Sequence, residues 1–139
     1  MLTVLITGAN RGIGLELVKH YLDHGDRVIG TYRETTSSKE LIQMSENHKD
    51  LKTLSLDVSS DESLKDFPNQ LNGAPIDIFI NNAGVFGPRD SSFGNVTEQG
   101  WVAALKVNAI APLILTQLII ENLRKGSVKK LIYITSKMG

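Results

Sequence analysis

The chain has 139 residues, of which 41% are hydrophobic, and its 15 Lys and Arg balance its 15 Asp and Glu. This composition is typical of one globular domain and excludes a chain that is disordered throughout. Because nucleic acid and anionic membranes attract clustered positive charge, the zero net charge argues against both as partners. We expect a small-molecule partner instead.

The chain contains no cysteine, which excludes disulfides, thiolate catalysis and cysteine-based zinc sites and is compatible with the predicted cytoplasmic location. The apolar start, Met1 to Ile6, lacks a basic region, so it predicts a strand rather than a signal peptide. The longest apolar stretch, Ala109 to Ile120, is shorter than the roughly 20 residues that cross a bilayer. We therefore expect no membrane segment.

Five short apolar runs, each bounded by Gly, Pro, Asn or Asp, predict five β-strands. Runs that are apolar throughout are typical of parallel strands covered on both faces. The predicted strands are Thr3–Thr7, Arg27–Tyr32, Leu51–Asp57, Ile76–Asn81 and Lys130–Thr135.

Helical patterns occupy the first three intervals between these strands. A helix over Gly14–Asp23 ends before Gly25, which suits the left-handed position after a helix. A weaker helix is predicted over Ser38–Glu46. The third, over Ser60–Leu71, begins with residues suited to capping, and Pro68 is expected to shorten or kink it.

The fourth interval carries the longest helical pattern, from about Glu98 to Lys125. Pro112 removes a backbone donor, so we expect two helices or a bend between residues 108 and 112. Strands that alternate with helices form βαβ units with right-handed crossovers. Residues 1–139 are therefore predicted to form one Rossmann-type α/β domain, a doubly wound parallel sheet that stops after its fifth strand.

A glycine-rich segment, Thr7-Gly8-Ala9-Asn10-Arg11-Gly12-Ile13-Gly14, joins the first strand to the first helix. Glycines at such a turn let the backbone approach a pyrophosphate, and the helix N-terminus offers free N–H groups and a partial positive charge. The segment therefore predicts a dinucleotide site, although a purely structural strand-to-helix turn uses glycines as well.

With Thr7, this Gly-x-x-x-Gly-x-Gly spacing resembles the TGxxxGxG signature of the short-chain dehydrogenase/reductase family. Four further landmarks follow in the family's order: Asp57-Val58, Asn81-Asn82-Ala83-Gly84, Asn108 and Thr135-Ser136. The chain is thus similar to the amino-terminal part of that family, and in its loop resembles the carbonyl reductases and the C-factor-like and sniffer-like members. The family's strand order implies 3-2-1-4-5 for this sheet.

The resemblance implies an oxidoreductase that transfers hydride between a nicotinamide cofactor and a carbonyl or alcohol. It places Asp57 at the adenine and the Asn81 motif beside the cofactor, whereas the residues alone allow turn formation for Asn81 and an ordinary helical position for Asn108. No metal site is expected. The implied cofactor-binding residues are Thr7, Gly8, Asn10, Arg11, Gly12, Ile13, Gly14, Arg33, Asp57, Val58, Asn81, Ala83 and Gly84.

The end of the second strand decides between NADP(H) and NAD(H), because an acid there binds the adenosine 2′-OH and an Arg binds a 2′-phosphate. Tyr32 stands where the acid would be, Arg33 follows it, and Arg11 lies in the glycine loop. Two guanidiniums favour NADP(H), since Arg pairs with phosphate through two parallel hydrogen bonds. The alternatives are that both are solvated surface charges, or that Glu34 is the ribose acid.

Of the family's catalytic set the resemblance assigns Ser136, which would bind the substrate oxygen, and Asn108, which would position a relay water. The family's Tyr-x-x-x-Lys follows the Ser, and here only Lys137, Met138 and Gly139 follow it. Tyr133 and Lys137 match that spacing but would lie roughly 13 Å apart along a strand, against about 6 Å on a helix. Tyr133 is therefore interpreted as a core residue, and the chain alone is expected to be inactive.

Other functions stay open from the residues alone. Glu16, His20 and His24 have helical spacing, but a solvated face explains them better than a metal site. If the chain is naturally this short, the alternative is a non-catalytic NADP-binding, regulatory or interaction module. An unpaired edge on the fifth strand favours association, so a homo-oligomer is expected.

Overall fold

The fold is a five-stranded parallel sheet whose strand order is β3-β2-β1-β4-β5, in a computed structural model that describes residues 1–136. The expected strand order and the Rossmann-type fold class are both confirmed. The chain moves outward from β1 through β2 to β3, then crosses to β4 on the other side of β1. The strands are β1 Thr3–Ile6, β2 Arg27–Tyr32, β3 Leu51–Ser55, β4 Ile78–Asn81 and β5 Lys130–Tyr133.

Six α-helices connect these strands, together with a 3-10 turn at Thr35–Ser37 and a π-turn at Lys106–Ile110. Gly25 has φ +81° directly after the first helix, as its predicted left-handed position requires. The helices are α1 Gly12–Asp23, α2 Lys39–Asn47, α3 Asp61–Leu71, α4 Glu98–Leu105, α5 Ala111–Leu118 and α6 Ile120–Lys125.

Both faces of the sheet are covered by helices, so the core has two parts. On one face Val18 of α1 and Leu41 of α2 pack in a cluster with Val4 of β1. On the other face α3 and α5 contribute Phe67 and Leu115 to a second cluster. Because each central strand supplies apolar side chains to both clusters, the sheet is buried on both sides, as parallel sheets usually are.

The outer strands differ from the prediction that all five strands are covered on both faces. β5 is an edge strand, and Leu131 and Tyr133 in it are each 43% exposed. β3 and β5 also end earlier than predicted at their carboxyl ends, at Ser55 and Tyr133, whereas β2 and β4 end where predicted. Of the residues that follow β3 and β5, Leu56 and Asp57 after β3 line the cavity described below.

Prolines act differently at the two positions where the sequence predicted a break. Pro68 does not shorten α3, which continues past it to Leu71 as the predicted helix did, and the alternative of a kink stays a prediction. Phe67 and Leu71 are both buried, and their burial offsets the hydrogen bond that Pro68 removes. The predicted interruption near residues 108–112 is confirmed, and it consists of the π-turn followed by α5 with Pro112 in its first turn.

The helical run from Glu98 to Leu118 is 21 residues long and contains an 18-residue stretch with a mean hydropathy of 1.4, so by length and composition alone it meets the requirement for crossing a membrane. The sequence prediction considered only Ala109 to Ile120 and missed the apolar residues on the amino-terminal side of the π-turn. In the fold, Ala111, Pro112 and Leu115 of this run are buried against the sheet. Most of its remaining surface is exposed.

Asp77, just before β4, joins three segments near the amino ends of the strands. Its Oδ2 accepts a hydrogen bond from the Thr3 N–H at 2.8 Å, and its Oδ1 accepts from the Ser127 N–H at 2.7 Å and the Ser127 hydroxyl at 2.8 Å. The Thr3 N–H is the main reason that the pKa of Asp77 lies below its ordinary value. The buried carboxylate therefore connects β1, β4 and the loop before β5.

Candidate nucleotide site

A cavity of about 520 Å³ lies at the carboxyl ends of the strands, within the range of ordinary ligand pockets. It opens where the chain order reverses between β1 and β4, which is where doubly wound sheets bind their ligands. Four chain segments and one residue of the π-turn, Val107, form its walls. The lining residues are Gly8, Asn10, Arg11, Gly12, Ile13, Tyr32, Arg33, Glu34, Ser37, Leu56, Asp57, Val58, Ser59, Asn82, Ala83, Gly84, Val85 and Val107.

The glycine loop forms the floor of this cavity and is attached to the sheet by its backbone. The Ala9 N–H donates to the Thr31 carbonyl at 2.8 Å, and the first hydrogen bond of α1 runs from Leu15 N–H to Arg11 O at 3.2 Å. The N–H groups of the first turn of α1, before Leu15, consequently have no helical acceptor. They supply donors and a partial positive charge at the cavity.

Gly12 is where the loop leaves room for a ligand. It has φ +54°, and a Cβ built on it meets no atom within 4 Å. Since Gly12 lines the cavity, a side chain there would occupy space that a diphosphate needs. The free amides, this open backbone and the nearby guanidiniums fit a dinucleotide.

Gly14 does not line the cavity, and its expected role as a cofactor-binding residue stays a prediction. A Cβ on Gly14 would lie 2.2 Å from the Gly8 carbonyl oxygen and 2.5 Å from Asn82 Nδ2. No rearrangement of a flexible side chain relieves a contact with backbone. Gly14 therefore permits the close packing of α1 against the glycine loop.

The Asn-Asn-Ala-Gly segment after β4 holds the glycine loop from the other side. The buried Thr7 hydroxyl accepts from the N–H groups of Asn82 at 3.0 Å and Ala83 at 3.1 Å. Asn82 Nδ2 donates to the Gly8 carbonyl at 2.9 Å. Thr7 and Asn81 are buried and lie outside the cavity lining, so they act on its shape.

Asn82 is a site residue that the sequence analysis missed. It stands in the same four-residue motif as the expected Asn81, Ala83 and Gly84, and only the fold shows which of the two asparagines faces the glycine loop. Its neighbour Asn81 is 7% exposed and accepts the Ile134 N–H through its carbonyl at 3.0 Å. In the sequence, the two consecutive asparagines were the signal that could have pointed to Asn82.

Two cationic side chains, Arg11 and Arg33, lie on the cavity wall after β1 and β2. Arg33 Nη2 lies 3.5 Å from Glu34 Oε1, and both side chains are more than half exposed. Glu34 also lines the cavity, so this edge carries both a phosphate-binding cation and a carboxylate. Both arginines therefore line the cavity as exposed side chains, and the alternative that they are solvated surface charges stays open.

The loop after β3 contributes Asp57 and Val58 to the cavity wall. Asp57 Oδ1 accepts from the Ser59 N–H at 2.9 Å and the Ser59 hydroxyl at 2.6 Å, which orients the carboxylate. Just beyond it, Asp61 at the start of α3 pairs with Lys106 at the start of the π-turn. The Lys106 ammonium is the first cause of the lowered pKa of Asp61. This pair joins the wall that carries Val58 to the one that carries Val107.

Asn108 lies in the π-turn, where its carboxamide binds the backbone of Val85 through both of its polar atoms. Nδ2 donates to the Val85 carbonyl at 2.7 Å, and Oδ1 accepts the Val85 N–H at 2.9 Å. Asn108 does not line the cavity, whereas Val85 does. The structure therefore gives Asn108 a positioning contact, and its expected role toward a relay water stays a prediction.

Ser136 lies beyond the end of β5, is exposed, and is not among the residues that line the nucleotide cavity. Tyr133 is in β5, and its hydroxyl lies 2.6 Å from Thr116 Oγ1. Its interpretation as a core residue is wrong, because on an edge strand the residue is 43% exposed. Lys137 lies outside the described residues.

The imidazole rings of His20 and His24 on α1 lie side by side, with their centroids 4.2 Å apart. His24 Nδ1 lies 2.7 Å from the His20 carbonyl oxygen. Over residues 1–136 no group of three or more His, Asp or Glu side chains is arranged to hold a metal ion.

Comparison with known proteins agrees with this geometry. Residues 2–139 match the family model described as short chain dehydrogenase. The 2-dehydro-3-deoxy-D-gluconate 5-dehydrogenase of Bacillus subtilis is 35% identical over 139 residues, which cover 99% of this chain and 54% of the relative. This chain spans between 33% and 54% of the lengths of the curated relatives that it matches.

Solved carbonyl reductases have the same fold. The NADPH-bound carbonyl reductase from chicken fatty liver superposes with a TM-score of 0.78 at 33% identity, covering 88% of this chain and 48% of that one. The carbonyl reductase Sniffer of Drosophila melanogaster superposes with a TM-score of 0.80 at 27% identity, covering 90% and 53%. The expected resemblance to carbonyl reductases and sniffer-like members is confirmed.

Proposed function

Because the chain belongs to the short-chain dehydrogenase family, we propose that it carries the cofactor-binding half of an NADP(H)-dependent oxidoreductase that acts on a carbonyl or alcohol. The observation that carries this proposal is the glycine loop at the cavity floor, where free amides surround the open backbone of Gly12. When bound, the nicotinamide cofactor supplies or accepts the hydride.

This chain's own residues bind and orient that cofactor in the proposal. Gly8, Gly12 and the amides from Arg11 to Ile13 hold the diphosphate. Asp57 and Val58 hold the adenine end, with Asp57 oriented by Ser59. Ala83 and Gly84 lie along the cofactor, while Thr7, Gly14 and Asn81 keep the loops that make these contacts in place.

We place the 2′-phosphate of NADP(H) between Arg11 and Arg33. Two guanidiniums at one edge of the cavity favour a dianion, and the NADPH-bound carbonyl reductase from chicken fatty liver is among the similar structures. Glu34 opposes this preference, because its carboxylate pairs with Arg33 and would repel the phosphate. The proposed order of affinity is NADPH above NADH.

Ser136 and Asn108 are the members of the family's catalytic set that this sequence contains, with Ser136 proposed to bind the substrate oxygen. The proton donor and its lysine have no counterpart after Ser136 in the 139 residues. Tyr133 does not substitute for them, since its hydroxyl is engaged with Thr116. We therefore propose that these 139 residues alone give no measurable turnover.

Nucleotide binding tests the proposal directly. Titration of the purified chain, followed by the fluorescence of the bound nicotinamide, should show tighter binding of NADPH than of NADH. Arg33→Ala should weaken NADPH binding about tenfold, because charge-assisted hydrogen bonds to the phosphate are lost. The matched control is Arg27→Ala, which removes the same group from the other end of β2. Equal affinity for the two nucleotides, or an unchanged Arg33→Ala, would refute the NADP preference.

Consumption of NADPH with a panel of carbonyl compounds tests the second part of the proposal. No turnover is expected of these 139 residues. Robust reduction of any compound that also depends on Tyr133 would overturn the structural interpretation of that residue.

A second candidate function, an interaction module, is favoured by the exposed apolar surface beside the edge strand. Leu131 and Tyr133 of β5 and Leu113 of α5 are all at least 43% exposed. An open strand edge and an uncovered helix face both promote association. We propose a homo-oligomer, and we propose the cytoplasm as its location because the chain contains no cysteine.

A further inference from the structure

We propose that Asn10 is a positioning residue for cofactor selectivity, which fixes the turn after β2 so that Arg33 is held ready for a 2′-phosphate. This inference rests on the proposed NADP(H) binding and deepens it. It assigns the preference to a hydrogen bond between two loops as well as to the two guanidiniums.

The contact that carries the inference joins two separate walls of the cavity. Asn10 Nδ2, in the glycine loop, donates to the main-chain carbonyl of Ser37 at 3.2 Å across 27 residues of chain. Both residues line the cavity. The glycine loop and the 3-10 turn Thr35–Ser37 are thus tied together at the edge where Arg11 and Arg33 lie.

Hydrogen bonds within the turn fix its conformation. Ser38 is fully buried, and its hydroxyl donates to the Glu34 carbonyl at 2.6 Å. The Ser37 hydroxyl donates to the same carbonyl at 3.3 Å. The buried Ser38 hydroxyl connects the carboxyl end of the turn to Glu34 at its start, and Asn10 attaches Ser37 to the glycine loop. Arg33 comes directly before this turn, so its backbone direction depends on both anchors.

A fixed backbone matters for Arg33 because its side chain is 61% exposed and has Glu34 as an alternative partner. Binding a phosphate then requires ordering a long side chain and separating it from a carboxylate, and both costs fall when the backbone is already in place. NADH has a hydroxyl instead of the 2′-phosphate and makes no comparable demand on Arg33. Loss of the Asn10 contact should therefore weaken NADPH binding selectively.

The first experiment compares dissociation constants for NADPH and NADH in the unaltered chain and in Asn10→Ala. We expect about a threefold to tenfold loss of NADPH affinity, the effect of one hydrogen bond, and less than about a twofold change for NADH. The control is Thr36→Ala, in the same turn but outside the cavity lining, which should leave the ratio of the two constants unchanged.

A double-mutant cycle then tests whether Asn10 acts through Arg33. In an Arg33→Ala background, Asn10→Ala should change NADPH affinity by less than about twofold, because the group that it positions is gone. If circular dichroism shows that Asn10→Ala does not fold, Asn10→Leu keeps the volume without the donor and enters the same cycle.

Three results would overturn the inference or its premise. An equal loss of NADPH and NADH affinity in Asn10→Ala would make Asn10 a general part of the diphosphate loop. Additive losses in the double mutant would make it a direct phosphate contact independent of Arg33. If the unaltered chain binds neither nucleotide, the proposed function itself fails, and this inference fails with it.

Discussion

Asn108 and Val85 exchange two hydrogen bonds, at 2.7 Å and 2.9 Å, between a π-turn side chain and the backbone of the loop after β4. Twenty-three residues separate the pair along the chain. Since Val85 lines the nucleotide cavity, the position of that wall depends on a side chain from a different helical segment. The π-turn between α4 and α5 therefore helps to fix the position of one wall of the cavity.

Asn108→Ala should lower the free energy of unfolding by about 1–2 kcal/mol, because the Val85 N–H and the Val85 carbonyl both lose their hydrogen-bond partner. Asn108→Asp should cause a loss as well, since a carboxylate can accept the Val85 N–H but cannot donate to the Val85 carbonyl. Urea unfolding measures both. The matched control is Asn47→Ala, whose side chain binds only the local Gln43 carbonyl, at 2.9 Å. A loss in Asn47→Ala as large as that in Asn108→Ala would contradict the prediction.

Gly14→Ala should destabilise the fold severely. The added Cβ would lie 2.2 Å from the Gly8 carbonyl oxygen, so α1 has to move away from the glycine loop. Overpacking of this kind costs about 1–3 kcal/mol or more. Thermal unfolding followed by circular dichroism should show a large drop in Tm, and a wild-type Tm would rule out the tight packing described here.

Gly12→Ala should instead leave a folded protein that has lost nucleotide affinity. Its Cβ meets no protein atom, so the folded state bears only the strain of φ +54°, about 1 kcal/mol. Gly25→Ala is the control, because that glycine also has positive φ and open space around it but lies at the far end of α1. Both variants should lose similar stability, and only Gly12→Ala should lose NADPH binding. Retained affinity in Gly12→Ala would place the diphosphate elsewhere.

Asp77→Asn should cost about 1–3 kcal/mol, since an amide nitrogen would face either the Thr3 or the Ser127 donors. The pKa of Asp77 in the folded state lies below its ordinary value of 3.8. Its contribution to stability is therefore fully present above that value and is lost as the pH falls through the lower folded-state pKa.

Urea unfolding at a series of pH values checks this sign. Between neutral pH and about pH 3 the difference in stability between the unaltered chain and Asp77→Asn should shrink as Asp77 is protonated in the unfolded chain. The control is Asp23→Asn, which replaces an exposed carboxylate at the end of α1. This substitution should leave the free energy of unfolding nearly unchanged at every pH. A stability difference between the unaltered chain and Asp77→Asn that grows on acidification would contradict the lowered pKa of Asp77.

The exposed apolar face of α4 and α5 should make the purified chain associate. Val102 is 56% exposed and Leu113 is 62% exposed. Leu113→Lys should shift the population toward monomer in light scattering, because a desolvated ammonium opposes burial of this face. Gln43→Lys adds the same charge on α2, which covers the other side of the sheet, and should have no effect. If the unaltered chain is monomeric at all concentrations, that result would count against association.

Local sequence patterns were sufficient to predict the succession of strands and helices along the chain, the glycine loop and the break between α4 and α5. These features depend on residues within a few positions of one another, such as Gly8, Gly12 and Gly14, or the apolar run of β4. Their periodicity and spacing are readable without any long-range contact. Pro68 is the exception, because burial of Phe67 and Leu71 outweighed a local rule.

Only the packed chain decided which distant residues contact one another, at the cavity and at the opposite end of the sheet. Asn82 reaches Gly8 across 74 residues, Asn10 reaches Ser37 across 27, and the Asp77 carboxylate reaches Ser127 across 50. No nearby sequence specifies these partners, since each hydrogen bond exists only after parallel strands bring distant loops to the same end of the sheet. The edge position of β5 was expected from the predicted strand order, but the exposure of Tyr133 was not, because it depends on which side chains pack against that strand.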